Sequence, residues 1–186
     1  AMGGGSRIVS CEVDADVAIV AREMQAFAGA HHTEMEVRVG AAIDWVATGL
    51  LRTADTLILD HRGTRYHEDL GAAEPSLLSG IGSRVFADNV LLPGAPLFLA
   101  HVHGRYDLTI HDVKEFLRPD LDDWVVVCMP GSDVECAPSH PPPELRRCAS
   151  EIDAISWKSE HGPVDWQEFQ RELAPALRSW RAARGL

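Results

Sequence analysis

Cysteine is scarce and never closely spaced. The four residues, Cys11, Cys128, Cys136 and Cys148, form no C-x-x-C pair, which removes the short redox motif. Cys11 and Cys128 lie in apolar strand-like runs, where a thiol behaves as a small hydrophobe. A reduced, cytoplasmic setting is therefore expected. No apolar run reaches the length of a bilayer span, and the opening Ala1–Ser6, AMGGGS, reads as a flexible lead-in rather than a targeting address. Basic residues are outnumbered, 17 against 28 acidic, for a formal net charge of −11. That balance argues against nonspecific binding to nucleic acid or to anionic membrane, both of which need basic surfaces. No G-x-G-x-x-G opens a strand-to-helix turn, and Gly3-Gly4-Gly5 lies too close to the first strand, with no helix between. A dinucleotide-binding dehydrogenase thus lacks its phosphate loop.

What remains is a chain of 186 residues, 46% hydrophobic, long enough for one well-buried domain or a domain with an appendage. Arg7–Val13 is a β-branched run, and Asp14 is placed to cap a following helix whose apolar positions run from Val17 to Ala28 at helical spacing, with Gly29 as its end. Glu34–Val39 alternates and stops at Gly40, and Ala41–Leu50 reads as a shorter helix. Thr56–Leu59 and Arg84–Ala87 are strands around a helix within Glu68–Leu78, and Pro96–His101 is helical. Gly104–His111 and Asp123–Met129 are two further strands. The alternation predicts an α/β fold with a parallel sheet. Ser132–Pro143 reads as a linker, followed by helices over Glu144–Lys158 and Asp165–Arg184. The apolar stripes of these helices, Leu145, Cys148, Ile152, Ile155 and then Trp166, Phe169, Leu173, Leu177, Trp180, are packing surface for the sheet or for another chain.

Both central strands end in acid: Asp60 after Thr56–Leu59, and Asp88-Asn89 after Arg84–Ala87. A strand–helix–strand unit brings two parallel strands side by side, so both acidic ends emerge at the sheet edge where α/β proteins bind ligands. Two carboxylates and an amide oxygen there suit a small hard cation such as Mg²⁺. Aspartates also follow buried strands merely as helix caps and turn formers, and spacing does not choose between the two.

The letters go further. LDHRGTRY followed by ADNVLLPGAPLFLAHV resembles the catechol O-methyltransferase family, with the likeness traceable from about Ser6 to Met129. The resemblance implies S-adenosylmethionine as methyl donor, Mg²⁺, and a small catechol-type acceptor; the acidic charge balance and the absence of a spanning run point to neither nucleic acid nor membrane as partner. The resemblance assigns Asp60, Asp88 and Asn89 to the metal and, with Glu115, to catalysis. It assigns Glu12 and Val13, in the segment Glu12-Val13-Asp14, to the donor ribose, and Gly40, Ala41 and Ala42 to the adenine. Asp60 and His61 would lie beside the donor. Asp60, Asn89, Pro93 (with Leu92) and Glu115 would contact the acceptor, Glu115 holding its second oxygen. A solvated strand-end glutamate and a turn histidine are the plainer readings of Glu12 and His61.

Three positions depart from the family pattern. Ala42 and Ile43 stand where it has serine and glutamine, and Gly63 stands where it has the lysine that takes the acceptor's proton. Without that lysine, methyl transfer is expected to be slow or to lean on a neighbour such as Lys114. The expected architecture is a Rossmann-like methyltransferase sheet, mostly parallel with an antiparallel edge strand, lacking the usual first strand and carrying a C-terminal helical extension. The division is 1–130 for a partial methyltransferase domain, 131–143 for the linker and 144–186 for the helices. A further N-terminal segment or a protein partner is expected to complete it. Its loss would leave the strands ending at Glu12 and Asp60 with unpaired edges, or force them together. The alternative function is a catalytically impaired relic that binds metal or a partner. A Mg²⁺-dependent phosphohydrolase is poorer, because no nucleophile or phosphate loop accompanies the acids.

Overall fold

The computed structural model describes residues 6–30, 34–78, 82–131 and 140–186. Most of the predicted linker falls outside these residues. By internal packing the chain divides into two units, Ala1–Arg52 and Thr53–Leu186. The division therefore falls well before the boundaries at 130 and 144 set from the sequence, and the C-terminal helices belong to the second unit.

In the first unit, β1 (Ile8–Glu12) and β2 (Met35–Val39) pair in parallel, with Ile8 opposite Met35 and Glu12 opposite Val39. Between them runs α1 (Ala15–Phe27), started by Asp14, whose carboxylate accepts from the N–H groups of Asp16 and Val17. That cap satisfies donors a helix cannot satisfy internally. Ala18 and Val37 are buried, and the Arg22 guanidinium donates to the Val37 carbonyl. The short α2 (Ala42–Ala47) follows without a side-chain cap.

In the second unit the strand order is β3-β4-β6-β5. β3 (Thr56–Leu59) and β4 (Arg84–Ala87) are parallel, and α3 (Tyr66–Leu77) connects them after a 3₁₀ turn at Gly63–Arg65. A wide turn over Val90–Gly94 leads from β4 into α4 (Pro96–Val102). β5 (Tyr106–Lys114) and β6 (Asp122–Pro130) form the antiparallel pair, with β6 inside and β5 at the edge. The predicted strand ending at His111 thus runs on to Lys114. Trp124, Val126 and Cys128 alternate along β6 and are all buried, as the two-residue period of a strand requires. The described strands form two sheets, β1-β2 in the first unit and β3-β4-β6-β5 in the second.

The last two helices, α5 (Pro143–His161) and α6 (Trp166–Ala182), pack on α4 and on the Val90–Gly94 turn. Leu145, Cys148, Ile152, Phe169, Leu177 and Trp180 are buried, so the predicted apolar stripes find their partner in this chain. Gly94 shows how closely they press. A Cβ there would lie 2.9 Å from Ile152 Cδ1, and its φ of +119° is one that side chains disfavour.

Away from the strand ends, Glu74 on α3 ties three elements together. Its carboxylate accepts from His101 on α4 (2.8 Å), from Arg105 (2.8 Å) and from the Tyr106 hydroxyl on β5 (2.7 Å). Burial raises the Glu74 pKa, but hydrogen bonds from His101 and Tyr106 and the charges of His101 and Arg105 outweigh it and hold the value at about 2. A depressed folded-state pKa stabilises above the unfolded value and loses that contribution as pH falls toward the folded one. The urea midpoint is therefore expected to drop between pH 4.5 and 2, with about 2 kcal/mol of the loss tied to this carboxylate. Glu74→Gln should be less stable at neutral pH and should flatten the curve in that window; an unchanged curve would remove Glu74 from the account.

Candidate functional site

The parallel pairing of β3 and β4 sets Leu59 opposite Ala87. The Asp88 N–H donates to the Leu59 carbonyl at 3.0 Å, extending the ladder one step past the strands. Asp60 and Asp88 therefore leave the same end of adjacent strands. Their proximity has an electrostatic signature. The Asp60 pKa is raised, first by burial, then by the Asp88 carboxylate and also by Glu115, with His61 acting the other way. Two acids from separate parts of the chain, Asp88 and Glu115, thus act on Asp60 at this edge.

The loops behind them are tied by Tyr66, at the start of α3. Its hydroxyl donates toward the carbonyls of Asp88 (3.2 Å) and His61 (3.3 Å), and its ring is fully buried. Burial and the nearby Asp60 and Asp88 carboxylates push its pKa upward, so the phenol stays a donor. The His61 ring stands 4.8 Å from that of Tyr66, and its Nε2 lies 2.6 Å from Asp69 Oδ2.

Asn89 adopts a left-handed backbone, φ 53° and ψ 36°, which asparagine tolerates better than most residues. Its side-chain amide donates to Glu115 Oε1 at 2.9 Å and to Asp123 Oδ2 at 2.8 Å. Both amide protons are thereby used, and Oδ1 is left as its remaining polar atom. Asp123 in turn accepts through Oδ1 from the N–H groups of Leu91 (3.0 Å), Leu92 (2.9 Å) and Trp124 (2.7 Å). Only 2% of Asp123 is exposed, and burial raises its pKa to about 6 despite these donors. A cleft of about 280 Å³ opens beside this group, with Asp88, Lys114, Glu115, Phe116 and Asp123 among its walls.

Of the predicted metal and acceptor residues, Asp88, Asn89 and Glu115 are thus brought together, and Asp88 and Glu115 act electrostatically on Asp60. Asp123 and Tyr66 were missed. Asp123 is the second of two acids opening the apolar run of β6, and Tyr66 closes the LDHRGTRY segment; neither position distinguishes it from a turn residue until the loops are folded. The predicted apolar wall is only half available: Leu92 is buried in the core, and Pro93 alone is half-buried. Lys114 borders the cleft, but its ammonium is paired with Asp122. Among the described residues no group of three or more His, Cys, Asp or Glu side chains is arranged to hold a metal. The predicted set contains only two carboxylates, with an amide as its third member.

The predicted donor-binding residues lie mostly in the first unit. Glu12 ends β1, its Oε1 accepting from the Asp14 N–H at 2.8 Å, and the Gly40 N–H donates to the Glu12 carbonyl at 2.8 Å. Glu12, Gly40 and Ala41 are therefore neighbours at the carboxyl ends of the parallel pair. Val13 is 72% exposed, and Ala42 and Ile43 are exposed as well.

Gly63 is decided by packing. It is buried, and a Cβ placed on it would lie 2.5 Å from the Gly94 carbonyl oxygen and 3.3 Å from Ala95 Cβ. The 3₁₀ turn after β3 and the wide turn after β4 meet here backbone to backbone. No side chain, a lysine included, fits without moving one of them.

This architecture, a parallel core ending in an antiparallel pair, is a methyltransferase fold. An O-methyltransferase from Bacillus cereus in complex with SAH superposes on 70% of this chain and 65% of its own, with a TM-score of 0.58 and 17% identity. The O-methyltransferase TomG from Streptomyces achromogenes, in complex with SAM, gives a TM-score of 0.56 over 70% and 65% of the two chains at 22% identity. No family model matches. Among curated proteins, a mouse transmembrane O-methyltransferase homolog is 35% identical over 131 residues, 67% of this chain and 51% of its own. Pig catechol O-methyltransferase is 36% identical over 110 residues, 56% of this chain and 59% of its own. Over the matched residues the chain is similar to catechol and transmembrane O-methyltransferases. It spans about half the length of the mouse relative.

Gly63→Ala is expected to lower the unfolding free energy by about 1–3 kcal/mol, because the atom it strikes is backbone and cannot rotate away. Gly63→Lys should be at least as damaging. A urea midpoint for Gly63→Ala equal to that of the parent would show that the two turns are looser than their contact implies.

Proposed function

We propose that this chain carries the acceptor and metal side of an S-adenosylmethionine-dependent O-methyltransferase, with Asp60, Asp88 and Asn89 holding Mg²⁺ and a catechol-type hydroxyl as acceptor. The observation that carries the reading is the Asn89 side chain. With its nitrogen committed to Glu115 and Asp123, its oxygen remains for a cation at the edge where Asp60 and Asp88 emerge. The raised Asp60 pKa, caused first by burial and then by the Asp88 carboxylate, with Glu115 adding to it, fits the same view, since a divalent ion relieves such crowding. Oxygen-only donors of this kind suit Mg²⁺ rather than zinc.

When bound, Mg²⁺ supplies Lewis acidity toward a hydroxyl and a fixed point for orienting it. The rest falls to the chain. Glu115 accepts a hydrogen bond from the acceptor's second hydroxyl, the half-buried Pro93 offers the apolar contact for its ring, and Asp123 and Tyr66 hold the Asp88–Asn89 turn in place. Orientation of this kind is a large part of what an enzyme contributes to a displacement. The residues the family pattern implies for the methyl donor are Glu12, Val13, Gly40, Ala41 and Ala42 of the first unit and, in the second, Asp60 and His61. The free thiols Cys11, Cys128 and Cys148 agree with a cytoplasmic setting, and no helix among the described residues is long and apolar enough to cross a membrane.

One observation favours the alternative, a catalytically impaired relation that binds metal or a partner. Position 63 holds no proton acceptor and has no room for one. Turnover is accordingly expected to be slow.

The chain is to be assayed with S-adenosylmethionine, Mg²⁺ and 3,4-dihydroxybenzoate, with methylated product followed by mass spectrometry. Slow, Mg²⁺-dependent product formation is expected, lost with EDTA and reduced about 100-fold or more in Asp88→Ala and Asn89→Ala. Metal binding by calorimetry without product supports the impaired relation. Silence in both, with the chain folded, overturns the proposal.

A further inference from the structure

The C-terminal helices touch the candidate site from two directions. From α5, Asp153 accepts from the Thr64 hydroxyl at 2.5 Å, on the turn that follows Asp60, and Ile152 presses on Gly94 in the turn that follows Asp88. From α6 the contacts run along the β5–β6 hairpin. Gln167 donates to Asp120, Arg178 to the Asp122 carboxylate, and Arg181 to Asp112.

Gln170 makes the contact that differs in kind. Its amide accepts from the Asp122 N–H at 3.2 Å and donates to the Asp122 carbonyl, so one side chain satisfies both backbone groups of one residue. That is what a neighbouring strand would do. β4 reaches β6 only from Val126 to Cys128, leaving Asp122 without a strand partner on the side away from β5. Gln170 occupies that place. The next residue is Asp123, the buried carboxylate that holds the Leu91 and Leu92 N–H groups and the Asn89 amide.

We infer that Gln170 is a positioning residue. By completing the hydrogen bonding of Asp122 it fixes the start of β6, hence the Asp123 carboxylate, hence the Asn89 turn and the Glu115 side chain that Asn89 holds. The C-terminal helices are then part of the acceptor side of the site rather than an appendage beside it. The catalytic consequence rests on the methyl-transfer reading; the mechanical one does not.

Two measurements on the whole chain test it. In Gln170→Leu, which keeps the size and loses both bonds, amide hydrogen exchange at Leu91 and Leu92 is expected to quicken about tenfold, with the amides of β5 and α4 unchanged. Gln170→Glu retains the acceptor for the Asp122 N–H and loses the donor, so an intermediate effect is expected; it also serves if the leucine variant does not fold. In the methylation assay kcat/KM for 3,4-dihydroxybenzoate should fall about tenfold, with KM for S-adenosylmethionine unchanged. Exchange at Leu91 and Leu92 equal to the parent's, or quickened evenly across the second unit, overturns the inference. If the parent chain shows no turnover, the exchange result decides the positioning role alone, and only the methyl-transfer reading falls.

Discussion

The Asn89 amide, held between Glu115 and Asp123, is the contact on which the edge of the second unit depends. Asp123 is a carboxylate taken almost wholly out of water, and such a group is stable only when donors surround it. Its donors are the Leu91 and Leu92 N–H groups, the Trp124 N–H and Asn89 itself. All but one come from the turn after β4. The turn cannot change shape without stranding the carboxylate, and the carboxylate cannot move without opening the turn. Asn89 accepts a left-handed backbone as part of that arrangement.

A second constraint lies behind the first. The loops after β3 and β4 approach so closely that a Cβ at Gly63 would lie 2.5 Å from the Gly94 carbonyl oxygen. Ile152 and Leu177 of the C-terminal helices close over Gly94, and Asp153 holds Thr64. Position 63 thus has two aspects that come to one. Chemically it lacks the proton acceptor that the family resemblance places there, and sterically the packing of the two loops forbids one. Methyl transfer at this edge, as proposed, rests on orientation by Asn89, Glu115 and the acids, not on a base at this turn.

Strand and helix identities were legible because their signals are local. Alternation or β-branched runs gave β1 to β4, Asp14 and Asp165 marked the helices they cap, and the stripe from Leu145 to Trp180 named the buried face of α5 and α6. β5 runs past His111 to Lys114 because pairing with β6 holds Asp112, Val113 and Lys114 extended, although Asp112 and Lys114 are polar and carry no strand signal. That Asp60 and Asp88 sit at one sheet edge was legible too, since a parallel pair leaves no other choice.

The sequence by itself determined the order of elements, the carboxyl-end position of the acids and, through LDHRGTRY and ADNVLLPGAP, the likeness to catechol O-methyltransferases. Tertiary structure alone decided that Asp123 organises the Asn89 turn, that Gln170 stands in for a strand, and that Gly63 is closed by the Gly94 carbonyl. The reason is distance along the chain. Asn89 and Asp123 are 34 residues apart, and Asp122 and Gln170 are 48 apart. Periodicity and capping act within a few residues, whereas these bonds exist only once separate elements are packed together.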